Sequence, residues 1–248
     1  MSASTSNMTS LQPVDFATEY VSLRTSEGRM YSDEEVSRLP LVSDTHQYAA
    51  EWKIRKASCE KLMNYIKAKQ ECLSILEVGC GNGWLSNQLS LIKDCQVTGL
   101  DVNLPELEQA KRVFKGANLS FVFGDLSANA LQGRRFDVIV FAASFQYFPS
   151  VSAILNKAFE HLSPSGEVHI IDSYFYSDAK RISASKRSKD YFSSVGHPEM
   201  KRYYFHHSMR DLAAYNYRIL NQSSLWIQRV LRKRKVFPWI CIKPKNKC

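Results

Sequence analysis

The sequence predicts an α/β fold, a doubly wound and mostly parallel sheet of seven strands with an N-terminal helical cap. Three observations lead there. Apolar runs of strand length alternate with helical spacing through the middle of the chain. The first such run, Leu73 to Val78, stops at three glycines on alternate positions, Gly79, Gly81 and Gly83. The second run ends in Asp101 and the third in Gly124-Asp125, so polar residues gather at the carboxyl ends of successive strands.

Taken in order, Met1 to Ser10 is Ser/Thr-rich, without a basic start or an apolar block, and reads as a loose tail rather than a secretory signal. Leu11 to Arg38 has little periodicity, and Leu39-Pro40 marks a break. Ser43-Asp44 then offers an N-cap to a helix over Thr45 to Lys69, whose apolar side runs Tyr48, Trp52, Cys59, Leu62, Met63 and Ile66. Residues 1–44 are thus expected to be a tail and cap segment, and 45–248 a single domain.

Beyond the glycines, Leu85, Leu89 and Ile92 keep helical spacing. Gln96 to Leu100 is the second strand, Pro105 to Phe114 a helix with Pro in its first turn, and Leu119 to Phe123 the third strand. Phe136 to Ala142 is apolar enough to be buried on both faces. A helix over Ser150 to Leu162 stops at Pro164 and Gly166, and Glu167 to Ile171 ends at Asp172. After that the pattern loosens into a helix over Asp178 to Phe192, a loop to His207, and a short helix over Ser208 to Tyr215. Arg218 to Asn221 and Val236 to Lys243 make two last strands around an amphipathic piece with Leu225, Trp226, Val230 and Leu231.

Composition narrows the function classes. Hydrophobic residues are 44% and charged residues 23%, a globular balance without a run long enough to span a membrane. Six cysteines without a C-x-x-C pair argue against a disulfide framework or a zinc site and fit a reducing cytoplasm. The net charge is +9, but Tyr174 to Arg210 and Arg229 to the C-terminus carry +13 between them, leaving −4 elsewhere. That field suits an acidic partner, and equally a solvated surface that keeps the protein soluble.

The glycine spacing selects the ligand. Counted from Gly79, the third glycine of a dinucleotide fingerprint falls on Trp84, and no Lys-Ser or Lys-Thr follows to make a phosphate loop. The stretch is E-x-G-x-G-x-G with Glu77 leading, and with Asp101 and Gly124-Asp125 in order behind it this resembles the class I S-adenosylmethionine-dependent methyltransferases, whose sheet is Rossmann-like. The resemblance runs over about Leu73 to Lys243. It implies S-adenosylmethionine as cofactor, with Gly79, Cys80, Gly81 and Gly83 against its methionine part. It also implies Asp101, beside Val102, on the ribose hydroxyls, Asp125 and Leu126 on the adenine, and Ala142, Ala143 and Ser144 under the reacting centre. Glu77 would stand near the cofactor ammonium or anchor the loop amides.

Methyl transfer is an in-line displacement, so positioning and water exclusion are expected to matter more than a fixed triad. Where the acceptor loses a proton a general base is needed, and His206 and His207 are the first candidates, with His46 behind them. Ala143 to Tyr147 lacks the Asn/Asp-Pro-Pro-Tyr/Phe signature of the family's amide methylators. A small-molecule acceptor methylated at O or N is the expected substrate, and the basic field would suit an acidic one. RNA is the alternative, with Tyr191, Phe192, Tyr203, Tyr204 and Phe205 among cations as a stacking platform; a catalytically silent binding protein is the third.

Overall fold

The computed structural model describes residues 13–221 and 237–244. One sheet holds seven strands in the order β3-β2-β1-β4-β5-β9-β8. They are β1 (Leu73–Val78), β2 (Cys95–Asp101), β3 (Leu119–Phe123), β4 (Phe136–Ala142), β5 (Leu162–Ile171), β8 (Asn216–Ile219) and β9 (Ile240–Lys243). Pairs among β1 to β5 are parallel, and β9 runs antiparallel to both β5 and β8. The order reverses beside β1, which opens a crevice at the carboxyl ends of β1, β2 and β4.

Both faces of the sheet are covered because the central strands β1 and β4 are mostly apolar on both sides, with only Ser74 and Glu77 in β1 and Asp137 in β4 polar. Leu73 and Ile75 of β1 and Val138 and Val140 of β4 join one core with Trp52, Leu62 and Ile66 of α3 (Ala49–Lys67) and Leu85 and Leu89 of α4 (Trp84–Ser90). The alternate residues Leu76, Val78, Ile139 and Phe141 face the other core, with Ile154, Leu155 and Ala158 of α6 (Val151–Glu160). That alternation is the two-residue period of a strand. Close packing of α4 on the sheet needs Gly99, where a Cβ would come within 3.0 Å of Phe121, Cys80 Sγ and Ser86 Oγ.

Several boundaries differ from expectation. The stretch before Arg38 is helical, with α1 (Pro13–Ser26) and α2 (Asp33–Arg38) ahead of α3. α2 opens on a capping box in which Ser32 Oγ accepts the Glu35 amide and Glu35 accepts the Ser32 amide. α3 begins at Ala49, not Thr45. Ser43 spends its hydroxyl on the Thr45 amide (3.2 Å) and His46 Nδ1 accepts the Tyr48 amide (3.0 Å), so local turns compete with the helix. β5 starts at Leu162 despite Pro164 and Gly166, because Leu162 pairs with Phe136 across a register shift. A small parallel pair, β6 (Phe175–Tyr176) with β7 (His207–Ser208), ties the region after β5 together around α7 (Asp178–Ser194) and α5 (Leu104–Val113) lies between β2 and β3 in the chain. In place of a helix over Ser208 to Tyr215 there is one 3-10 turn, Met209–Leu212. The amphipathic piece with Leu225, Trp226, Val230 and Leu231, and Val236, lie outside the described residues.

Away from the crevice, Glu167 at the lower half of β5 is 2% exposed and meets Lys69 and Lys243, both at 3.0 Å, and Tyr65 Oη at 2.8 Å. Its Oε2 also faces His169 Nε2 at 3.4 Å. Cys241 Sγ lies in the same group, with ligand-type atoms of the three within 4.8 Å. Trp239 Nε1 donates to His169 Nδ1 at 3.0 Å, which puts the imidazole proton on Nε2 and removes the lone pair a metal needs. The group is a polar clasp between α3, β5 and β9. The cysteines at 59, 72, 80, 95 and 241 are free thiols. Among the described residues no helix is long and apolar enough to cross a membrane.

Candidate active site

The carboxyl ends of β1, β2, β3 and β4 open into one cavity of about 760 Å³. Gly79 and Gly81, Asp101 and Val102, Asp125 and Leu126, and Ala143 and Ser144 all line it. The sequence spread these over 66 positions; the sheet brings them to one rim.

Each is held by local chemistry. Gly79 and Cys80 donate their amides to the Leu100 carbonyl at 2.8 and 3.1 Å, which folds the loop back over β2. Gly79 has φ +75°, and a Cβ there would lie 2.6 Å from Ser144 Cβ. Ser144 is fixed in turn by donating its hydroxyl to the Val78 carbonyl at 2.6 Å. Asp101 accepts the Gly81 amide on Oδ2 (2.6 Å) and the Asn103 amide on Oδ1 (2.7 Å), so its plane is set and each oxygen keeps a free lone pair. Burial raises its pKa, with these amides opposing. Asp125 closes a turn by accepting the Ser127 amide at 2.7 Å.

Opposite the strand ends, aromatic rings form a cover. Phe16 and Tyr20 of α1 stand 5.4 and 5.5 Å from Tyr147, and Phe16 stands 5.6 Å from Tyr203. Phe205 and Phe148 complete the apolar lining. Burial pushes the Tyr20 hydroxyl up to about 12, so it stays a neutral phenol. Phe16 and Tyr20 are not among the expected site residues, since the stretch around them has little periodicity; the signal that marks them is the i, i+4, i+7 spacing of Phe16, Tyr20 and Leu23.

Other expected site residues lie behind the lining. Glu77, 2% exposed, accepts the Ser86 hydroxyl at 2.5 Å and so anchors the first turn of α4. Burial pushes its carboxyl up to about 8, with Ser86 opposing and Asp101 adding. Cys80 is buried in the loop, Gly83 packs under Phe121 with a hypothetical Cβ 2.6 Å from its ring, and Ala142 is the last residue of β4. His206 meets Ser188 Oγ at 2.9 Å, and buried His207 meets the Phe145 carbonyl at 3.2 Å. Burial lowers both pKa values, and neither ring is among the cavity-lining residues. Tyr31 and Trp52 are buried together, with Trp52 Nε1 donating to Tyr31 Oη at 3.1 Å. Phe192 and Tyr203 are also buried, and Tyr204 packs on Tyr147, Phe192 and His206, so those rings face inward rather than forming an open stacking platform.

The lining suits an adenosyl ligand carrying an amino-acid tail. Leu100, Val102, Leu126 and Ile154 offer an apolar slot, Asp101 offers two fixed acceptors, and the glycine loop leaves backbone uncovered. Residues 75–166 match the family model described as a methyltransferase domain. The malonyl-[acyl-carrier protein] O-methyltransferase of Priestia megaterium is 27% identical over 124 residues, 49% of this chain and 45% of that one. The chain spans about half the length of the curated relatives it matches. Among solved structures, the magnesium protoporphyrin IX methyltransferase of Synechocystis PCC 6803, with bound S-adenosylhomocysteine (SAH), aligns with a TM-score of 0.58 at 13% identity, over 92% of this chain and 98% of that one. The plantazolicin methyltransferase, solved with a monoazolic desmethyl analogue and SAH, aligns at 0.56 and 16% identity, over 94% and 98%. At these identities the alignments establish the fold, which is the one the strand order already gives. Residues 75–166 thus match a methyltransferase domain, carried on a sheet with the strand order of the class I S-adenosylmethionine-dependent methyltransferase fold.

Proposed function

We propose that this chain transfers a methyl group from S-adenosylmethionine to a small-molecule acceptor at oxygen or nitrogen. The observation that carries the reading is the single cavity whose floor is the glycine loop, whose wall holds Asp101 and Asp125, and whose cover is aromatic. In this reading Asp101 accepts from the ribose hydroxyls, Asp125 and Leu126 meet the adenine edge, and Gly79, Gly81, Ala143 and Ser144 border the methionine part. The cofactor supplies a methyl already activated on sulfur.

The work left to the protein is to orient the acceptor and keep water out. Phe16, Tyr20, Tyr147 and Tyr203 are placed for both, as rings around the open side of the cavity. No proton-transfer role is assigned to His206 or His207, whose rings are engaged elsewhere. Incubating the protein with S-adenosylmethionine and a metabolite extract should yield a compound heavier by one methyl. Cofactor binding without any such product across broad extracts would favour the silent binding protein.

A second reading has the acceptor tethered to an acidic carrier protein. Its support is that Lys180, Arg181, Lys186 and Lys189 of α7 are exposed and make no ion pair among the described residues. Turnover of a carrier-linked acceptor that falls steeply with salt would support it.

A further inference from the structure

Glu106 lies in the first turn of α5 and is 4% exposed. Its carboxylate backs the glycine loop: a Cβ on Gly81 would stand 3.3 Å from Glu106 Oε2 and 3.6 Å from its Cδ. Gly81 itself lines the cavity. So short a separation places the carboxylate directly behind one wall of the site.

Helix capping accounts for only part of this acid's placement: the Glu106 amide donates to Asn103 Oδ1 at 3.4 Å, as an N-cap requires. Asn103 is the N-cap and Glu106 stands three residues on, where a capping-box acid would accept the N-cap amide. Here the Asn103 amide goes to Asp101 Oδ1 at 2.7 Å, and Glu106 takes only the Asn103 side-chain Nδ2, also at 2.7 Å. A buried carboxylate without an ion pair is costly unless something else offsets it. Among the described residues Glu106 makes no salt bridge, and the cations that face it, Arg24 of α1 and Arg55 of α3, act on it at longer range.

We propose that Glu106 favours the charged methyl donor over its neutral product, its carboxylate attracting the sulfonium across the thin wall that Gly81 provides. The inference rests on the cavity holding S-adenosylmethionine as proposed above. In the transfer the acceptor's lone pair forms the bond to the methyl carbon, the carbon–sulfur bond breaks, and its electron pair stays on sulfur. The sulfonium charge leaves the cofactor with the methyl, and any proton on the acceptor atom departs to solvent. Glu106 then loses the sulfonium's share of the attraction, so the thioether product is held less tightly than the donor was. Glu106 touches no reacting atom in this account and is a positioning residue.

The titration of Glu106 supplies a signature that a structural role lacks. Burial, opposed by Arg24 and reinforced by Asp101, pushes its carboxyl up to about 7. It is therefore neutral well below that pH and charged well above it. The other groups facing it are Tyr20 on α1, Asp101 at the end of β2 and Cys80 in the loop; burial pushes Tyr20 up to about 12 and raises Cys80 well above its usual range, so both stay neutral.

The test is calorimetric titration of S-adenosylmethionine and SAH into the parent protein and Glu106→Gln, at about pH 6 and about pH 8.5. The amide preserves size and can still accept from Asn103 Nδ2. Taking the ratio of the two affinities cancels the ligands' shared amino group, which titrates in this range. At the higher pH the variant's donor-to-product ratio should fall about fivefold below the parent's, and at the lower pH the two should agree. The parent's own ratio should rise with pH, and a rise kept in full by a folded Glu106→Gln would belong to Glu77, whose carboxyl burial pushes up to about 8, and would overturn the proposal. Equal weakening of both ligands, or a parent ratio flat with pH, overturns the proposal. Absence of SAH binding to the parent overturns the cofactor reading beneath it.

Discussion

Replacing Gly79 by alanine tests whether the glycine loop is the cavity floor, and the cost follows from two features. At φ +75° the left-handed region costs an L-residue roughly 1 kcal/mol or more. The new Cβ would also lie 2.6 Å from Ser144 Cβ and 3.1 Å from its Oγ. Ser144 cannot swing aside, being 6% exposed and bonded to the Val78 carbonyl at 2.6 Å. The loop must therefore move, straining the two amides that donate to Leu100, for about 2 kcal/mol more. Gly79→Ala should thus weaken SAH binding by about 3 kcal/mol, on the order of a hundredfold. Ser144→Gly alone should cost about 1 kcal/mol for its hydrogen bond. The double variant frees the space, since Ser144 Cα is 3.9 Å away, and should cost about 2 kcal/mol rather than the additive 4. Calorimetry on the four proteins, with thermal unfolding alongside, reads the coupling. Additive costs would show that the two residues do not meet, and the packing argument would fail.

Two further outcomes follow from other contacts. Against the cost of its burial, His169, Lys69, Tyr65 and Lys243 hold the Glu167 carboxyl well below the usual range. Its stabilising contribution is therefore present above the unfolded carboxylate pKa of about 4.3 and lost as pH falls further. Glu167→Gln should lose about 3 kcal/mol at neutral pH and show a shallower acid limb in urea unfolding from about pH 3 to 7; parallel stability curves would refute the clasp. Tyr20→Ala removes a ring from the cover and should speed SAH release about tenfold with little change in association, followed by tryptophan fluorescence in stopped flow. An unchanged release rate would take α1 out of the cover.

How much of this was legible in the chain depends on the kind of signal. β1, β3 and β4 match the expected ranges residue for residue because each is a mostly apolar run of strand length, Phe136–Ala142 carrying Asp137 as its one charged residue. Gly79, Gly81, Asp101 and Asp125 were legible because a motif fixes them to strand ends, and the parallel sheet then fixes where strand ends meet. The cover was not legible: Phe16, Tyr20, Tyr147 and Tyr203 come from three separated segments, and only the fold makes them neighbours. Glu77 shows the converse limit, since a motif names the residue while its bond to Ser86 Oγ shows what the carboxylate holds. Glu106 occupies the third helical position of α5, where nothing in the sequence sets it apart, and its closeness to Gly81 shows only in the fold.

Titration of SAH into the intact protein and into Asp101→Ala tests the central claim most directly. Asp101 presents both oxygens in a plane fixed by the Gly81 and Asn103 amides, and two hydrogen bonds to a carboxylate are each worth roughly 1.5–3 kcal/mol. The account predicts one-to-one binding to the parent, weakened about a hundredfold or more in the variant while the fold persists. A parent protein that binds neither SAH nor S-adenosylmethionine at millimolar concentration, or a variant that binds as tightly as the parent, would contradict it.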